Sequence, residues 1–115
     1  MATDQHQVLG LVAPRGLLIL DNPHVDWLGA SAGHAGALAG AEIYRALGAG
    51  GNIGYYSAVE NPKHCAWRPE WDQPARDAIR RHLLGVDADD LHLQAADPAK
   101  AAAMPARDWQ APPLR

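Results

Sequence analysis

A single cysteine in 115 residues excludes an internal disulfide. Cys65 is therefore either a reduced cytosolic thiol or half of a bridge whose other half lies outside this chain. An excess of positive charge is also lacking. Ten Lys and Arg stand against thirteen Asp and Glu, for a net charge of -3 and a pI near 6.0. With no basic field, nucleic acid and anionic membrane surfaces are not expected as partners. No apolar run reaches the length that spans a bilayer, and Met1–His6 shows no basic segment leading into an apolar one, as a secretory signal requires. The six histidines, His6, His24, His34, His64, His82 and His92, form neither a His-x-x-x-His pair on one helix nor a Cys/His cluster of zinc spacing, so no metal and no other cofactor is expected. Gly48, Gly50, Gly51 and Gly54 precede a strand instead of opening a helix, which argues against a phosphate-binding loop.

What is present reads as globular. Hydrophobic residues make up 48% and charged residues 20% of the chain, enough for one domain at most, with a core covering about two-thirds of the unfolded surface if it folds alone. Leu17-Leu18-Ile19-Leu20 is a continuous apolar run of the kind found in a strand buried on both faces of a parallel sheet. It ends at Asp21-Asn22-Pro23, where proline stops pairing and Asp and Asn favour a turn. From His34 to Leu47 the spacing predicts a helix with Gly36, Gly40, Ile43 and Leu47 on one face and Ala37, Ala41 and Tyr44 beside them. Small residues there let the helix lie close on a sheet, and Gly48 is its stop. Ile53 to Val59 reads as a second strand from its β-branched and aromatic content. Asp72 is the expected N-cap of a second helix, with Pro74 in the first turn. Its stripe of Ala75, Ala78, Ile79, His82 and Leu83 must pack on something, and Gly85 ends it.

Residues 1–87 thus follow the order strand, helix, strand, helix, and residues 88–115 form a mostly irregular tail with anchors at Leu91-His92-Leu93 and Trp109 and a helical turn over Ala99 to Met104. Two parallel strands need neighbours to satisfy their edges and cover their apolar faces. The pattern is that of the C-terminal portion of a doubly wound α/β domain, separated from its earlier strands. Expressed alone, such a chain is expected to aggregate or stay partly unfolded.

The loop after the second strand, Val59-Glu60-Asn61-Pro62-Lys63-His64-Cys65-Ala66-Trp67, places a histidine beside the cysteine. A histidine on a loop leaving a strand of an α/β sheet is well placed for a general base: the strand aims it and the loop lets it shuttle a proton. Cys65 as nucleophile with His64 as its base is disfavoured, because adjacent residues on an extended loop point apart.

Asp4-Gln5-His6, Ala13-Pro14-Arg15-Gly16-Leu17-Leu18, Asp21-Asn22, Asp26-Trp27-Leu28-Gly29, Ile43-Tyr44-Arg45-Ala46-Leu47-Gly48 and His64-Cys65 stand in an order and spacing that resemble the glucuronoyl esterases, also called 4-O-methyl-glucuronoyl methylesterases. The likeness runs from Asp4 to Leu84, and Trp109, Pro112 and Leu114 echo the family's end. Asp-Trp-Leu-Gly followed later by His-Cys is its most specific part.

The resemblance implies an α/β hydrolase fold and a secreted or periplasmic serine esterase. Such an enzyme cleaves the ester between lignin alcohols and the 4-O-methyl-glucuronic acid of glucuronoxylan. His64 falls on the family's catalytic base, which takes the proton of a serine hydroxyl and returns it to the leaving alcohol. Trp27 falls on a tryptophan lining the sugar pocket, where an indole covers a pyranose face; the alternative is a core tryptophan at the strand end. Asp26 is a candidate for the triad acid; otherwise the acid sits after the preceding strand, outside this chain, and Asp26 caps a loop. Cys65 resembles the cysteine that pairs with one beside the nucleophilic serine, which would place its partner in a missing segment.

Two features depart from the family. His34 stands where some fungal members carry a further cysteine. The Gly-Cys-Ser elbow has no counterpart either: the two serines, Ser31 in a loop and Ser57 in a strand, lack a Gly-x-Ser-x-Gly setting and read as structural. The chain by itself is therefore expected to be inactive, with the remaining N-terminal part of the same domain as its partner. The alternative is a small carbohydrate-binding or interaction module derived from the fold.

Overall fold

Leu17–Asp21 forms the first strand, β1, for the expected reason: an apolar, β-branched-containing run stopped by Asn22 and Pro23. A computed structural model of the chain describes residues 5–23, 30–57, 63 and 66–94. Before β1, Gln5–Gly10 forms a short helix, α1. The long helix α2, Ala30–Ala46, leads to a 3-10 turn at Gly50–Asn52 and the strand β2, Ile53–Ser57. A second 3-10 turn at Pro69–Trp71 opens α3, Asp72–His82, and Leu93–Gln94 forms β3.

The three strands make one parallel sheet in the order β1-β2-β3, with Leu17 opposite Ile53, Asp21 opposite Ser57 and Tyr55 opposite Leu93. Alternation along the strands assigns the two faces. Leu17, Ile53 and Leu93 pack with Ala41, Tyr44 and Ala49 on the α2 side, whereas Leu18 and Leu20 line an open apolar groove with Trp67, Ala78, Ile79 and Leu83 on the α3 side.

Six expectations need correction. Gln5–Gly10 is a helix ahead of the strand expected to come first, and Leu93–Gln94, expected within an irregular tail, adds a third strand to the two expected. Helix α2 starts at Ala30, four residues before the predicted start, so residue 31 is helical and not in a loop. Its two small-residue rows face different neighbours: Ala41 and Tyr44 meet the sheet. Gly40 instead approaches α1 so closely that an added Cβ would lie 3.2 Å from Leu9 Cβ. Asp72 is the first residue of α3 and not its cap, because Trp71 occupies the cap position without a side-chain bond. Finally, β1 is not buried on both faces; every residue in it is only partly covered. Among the described residues it pairs with β2 alone, so a sequence composed for a central strand lies at an edge.

The helix ends follow the predicted chemistry. Gly48 and Gly85 adopt φ of +71° and +64°, the left-handed region that only glycine enters without strain. The Ala49 N–H returns to Tyr44 O at 2.8 Å and the Val86 N–H to Arg80 O at 2.9 Å. The stripe on α3, expected only to pack on something, faces β1. His82 packs onto Gly16 so closely that an added Cβ would overlap the imidazole unless that side chain shifted. The stripe is nonetheless incompletely covered, with Ile79 50% and Leu83 78% exposed. In the tail, Leu91 is buried, its N–H donates to Gly51 O at 2.9 Å, and the next residues join the sheet as β3. Trp109 and the helical turn expected over Ala99 to Met104 lie outside the described residues.

Candidate functional site

Ligands of parallel α/β sheets bind beyond the carboxyl ends of the strands. Here those ends are Asp21-Asn22 of β1 and Ser57 of β2. Tyr55, two residues before the end of β2 and nearly inaccessible, reaches diagonally across the ladder, and its hydroxyl donates to Asp21 Oδ2 at 2.9 Å. The other carboxylate oxygen, Oδ1, accepts the Asn22 N–H at 2.9 Å. Burial, and then the bond to Asp21, push the Tyr55 hydroxyl well above its ordinary value of 10.0, so it stays a donor.

Across the Tyr55 ring lies His34 of α2, with centroids 5.1 Å apart and planes tilted by 50°. Both its ring nitrogens are shielded from solvent and have no hydrogen-bond partner among the described residues. Burial lowers its pKa from 6.5, as expected for an imidazole with no acceptor to stabilise its charged form.

Asn22 connects this strand end to the loop that follows β2. It is buried at 4% exposure, and its Nδ2 donates to Lys63 O at 3.0 Å, joining positions 41 residues apart. The same carbonyl accepts the Ala66 N–H at 3.3 Å. Immediately downstream Arg68, 1% exposed, donates to Ala66 O and lays its guanidinium over the Trp71 ring, 5.2 Å from the centroid. Trp67 meets Trp71 edge-on at 5.8 Å, and its Nε1 donates to Asp72 Oδ1 at 2.6 Å. The carboxylate expected to cap α3 therefore anchors the loop before it.

The predicted site residues Asp26, Trp27, His64 and Cys65 lie outside the described residues. Their described neighbours bring the two segments together: the end of β1, which leads to Asp26 and Trp27, is bonded to the residue preceding His64. Among the described residues no group of three or more His, Cys, Asp or Glu side chains is placed to hold a metal, and no helix is long and apolar enough to cross a membrane. Asn22, Arg68 and Tyr55 were not legible as site residues. Asn22 reads as a turn former, and nothing in the spacing marks Arg68 as buried. A usable signal for Arg68 is its place between two tryptophans, Trp67 and Trp71, which is common for a guanidinium stacked on an indole.

The family described as "Glucuronyl esterase, fungi" matches residues 1–48. The 4-O-methyl-glucuronoyl methylesterase of Thermothelomyces thermophilus is 32% identical over 100 residues, 82% of this chain and 25% of that protein. Among solved structures, the glucuronoyl esterase catalytic domain from Hypocrea jecorina superposes with a TM-score of 0.85 at 28% identity, over 97% of this chain and 30% of that one. A mutant glucuronoyl esterase from Sporotrichum thermophile, in complex with methyl 4-O-methyl-β-D-glucopyranuronate, superposes with a TM-score of 0.70 at 29% identity, over 85% of this chain and 27% of that one. The chain spans about a quarter of the length of the curated relatives it matches. Its parallel sheet with flanking helices is the C-terminal portion of that α/β hydrolase fold.

Proposed function

We propose, from the likeness of this chain to the C-terminal part of the glucuronoyl esterases, that it supplies the histidine base and part of the sugar pocket of a serine esterase acting on 4-O-methyl-glucuronate esters. The observation that carries the reading is the superposition of 97% of the chain on one such catalytic domain with a TM-score of 0.85. The methyl 4-O-methyl-β-D-glucopyranuronate bound by a structural neighbour supports the substrate class. The natural substrate in this reading is the ester joining lignin alcohols to the glucuronic acid of glucuronoxylan, met outside the cell or in the periplasm.

In the proposed reaction His64 accepts the proton of a serine hydroxyl supplied by residues outside this chain. The serine oxygen attacks the uronate carbonyl carbon, the bond to the alcohol oxygen breaks, and the departing alcohol takes the proton from His64. Water activated by the same imidazole then releases the uronic acid. Trp27 covers the sugar face, Asp26 or a carboxylate from outside the chain orients the imidazole, and Cys65 pairs with a cysteine near the nucleophile. Residues 1–115 alone carry no esterase activity in this reading.

The test begins with the coding sequence upstream of Met1. The continuous product is expressed and assayed on methyl 4-O-methyl-glucopyranuronate. Turnover by that product, lowered by roughly three to four orders of magnitude in His64→Ala, as when a triad base is lost, is the expected result. Near-normal turnover by His64→Ala would sink the assignment.

A further inference from the structure

We infer that Asn22 is a positioning residue for the His64 base, acting through the Lys63 carbonyl. The inference rests on the proposed role of His64. The carbonyl of Lys63 and the backbone nitrogen of His64 belong to one planar peptide unit. Whatever holds that oxygen therefore fixes the orientation of the plane from which residue 64 departs. Among the described residues, Asn22 Nδ2 at 3.0 Å and the Ala66 N–H at 3.3 Å donate to it.

The first of these comes from outside the loop, and it is rigidly mounted. Asn22 is 4% exposed, its own N–H is tied to Asp21 Oδ1 at 2.9 Å, and Asp21 Oδ2 accepts from the Tyr55 hydroxyl at 2.9 Å. A chain of bonds thus runs from the core of β2, through the end of β1, to the peptide unit preceding the base. On the far side, Arg68 holds Ala66 O, so positions 64 and 65 lie between two anchored carbonyls. Proton transfer tolerates little displacement of its base, since about 1 Å can lower turnover about 100-fold, and in this proposal Asn22 limits that displacement through the Lys63 carbonyl.

The test uses the natural gene product that contains residues 1–115, whatever its length, and compares Asn22→Ala and Asn22→Ser with Asn52→Ala. Asn52 is the control because its Nδ2 makes an equivalent bond, to Pro14 O at 2.8 Å, at the opposite end of the sheet. Amide exchange of the 63–67 segment and kcat and KM on methyl 4-O-methyl-glucopyranuronate are measured for each. The Asn22 variants are expected to exchange at least about tenfold faster in that segment and to lose about 10- to 100-fold in kcat with KM little changed. Asn52→Ala is expected to leave both unaltered. The serine variant keeps a polar group at the site, so misfolding of the alanine variant does not end the comparison.

If His64→Ala is inactive but the Asn22 variants match Asn52→Ala in exchange and kcat, the positioning role is overturned and the base assignment stands. If His64→Ala remains active, the esterase reading fails and takes the positioning role with it. An unprotected 63–67 segment in the unsubstituted protein would also overturn the clamp.

Discussion

Replacing Tyr55 by Phe removes one oxygen and very little else. The ring is 1% exposed and keeps its contact with His34 at 5.1 Å, so no cavity forms. The change deletes the bond to Asp21 Oδ2 at 2.9 Å. A hydrogen bond to an ionised group contributes about 1.5–3 kcal/mol, and a half-buried carboxylate that retains the Asn22 N–H on its other oxygen belongs near the lower end. The single variant confounds this with changes in solvation, so the measurement is a double-mutant cycle of Tyr55→Phe and Asp21→Ala by denaturant unfolding of the natural gene product. The expected coupling is about 1–2 kcal/mol. A coupling under about 0.3 kcal/mol, the ordinary error of additivity, would refute the claim that this bond holds the end of β1.

Two further outcomes are expected. Burial lowers the pKa of His34, and burial followed by the charge of Arg81 lowers that of His82, both from 6.5. The folded state therefore takes up fewer protons than the unfolded chain, and stability present above pH 6.5 is lost as the pH falls below it. Unfolding free energies at pH 7.5 and 5.5 should show a smaller acid loss in His34→Gln than in the unsubstituted protein, and an equal loss would remove the claimed contribution. Residues 1–115 expressed alone should self-associate or fail to fold cooperatively, because the Leu17–Leu20 edge and the groove beside Ile79 and Leu83 present apolar surface. A soluble monomer with a sharp, reversible melt in sedimentation and calorimetry would count against that expectation.

Much of the fold could be read locally. The Leu17–Leu20 run, the small-residue helix ending at Gly48, the aromatic strand from Ile53 and the stripe ending at Gly85 all appear within a few residues of their predicted places. Each depends on a short-range signal: apolar continuity, helical period or a left-handed glycine. The site was legible in a different way. His64, Asp26, Trp27 and Cys65 were singled out by motif resemblance, whereas the bonds that join their segments were not. Asp72 shows the difference well. Its position predicts a cap, yet its carboxylate meets the Trp67 indole at 2.6 Å, because the 3-10 turn at Pro69–Trp71 brings that ring back over the helix start.

By itself the sequence determined the order of β1, α2, β2 and α3, the absence of a second cysteine and the placement of one histidine after the second strand. These follow from backbone propensity and composition, which act within a turn or two of chain. Only the tertiary structure decided that Leu93–Gln94 completes a third strand, that β1 lies at an edge of the described sheet and that α2 divides its small residues between α1 and the sheet. The tertiary structure alone also brought Asn22 to Lys63 across 41 residues. Such pairings depend on which surfaces meet after collapse, and a buried amide facing a distant carbonyl leaves no periodic trace in the chain that encodes it.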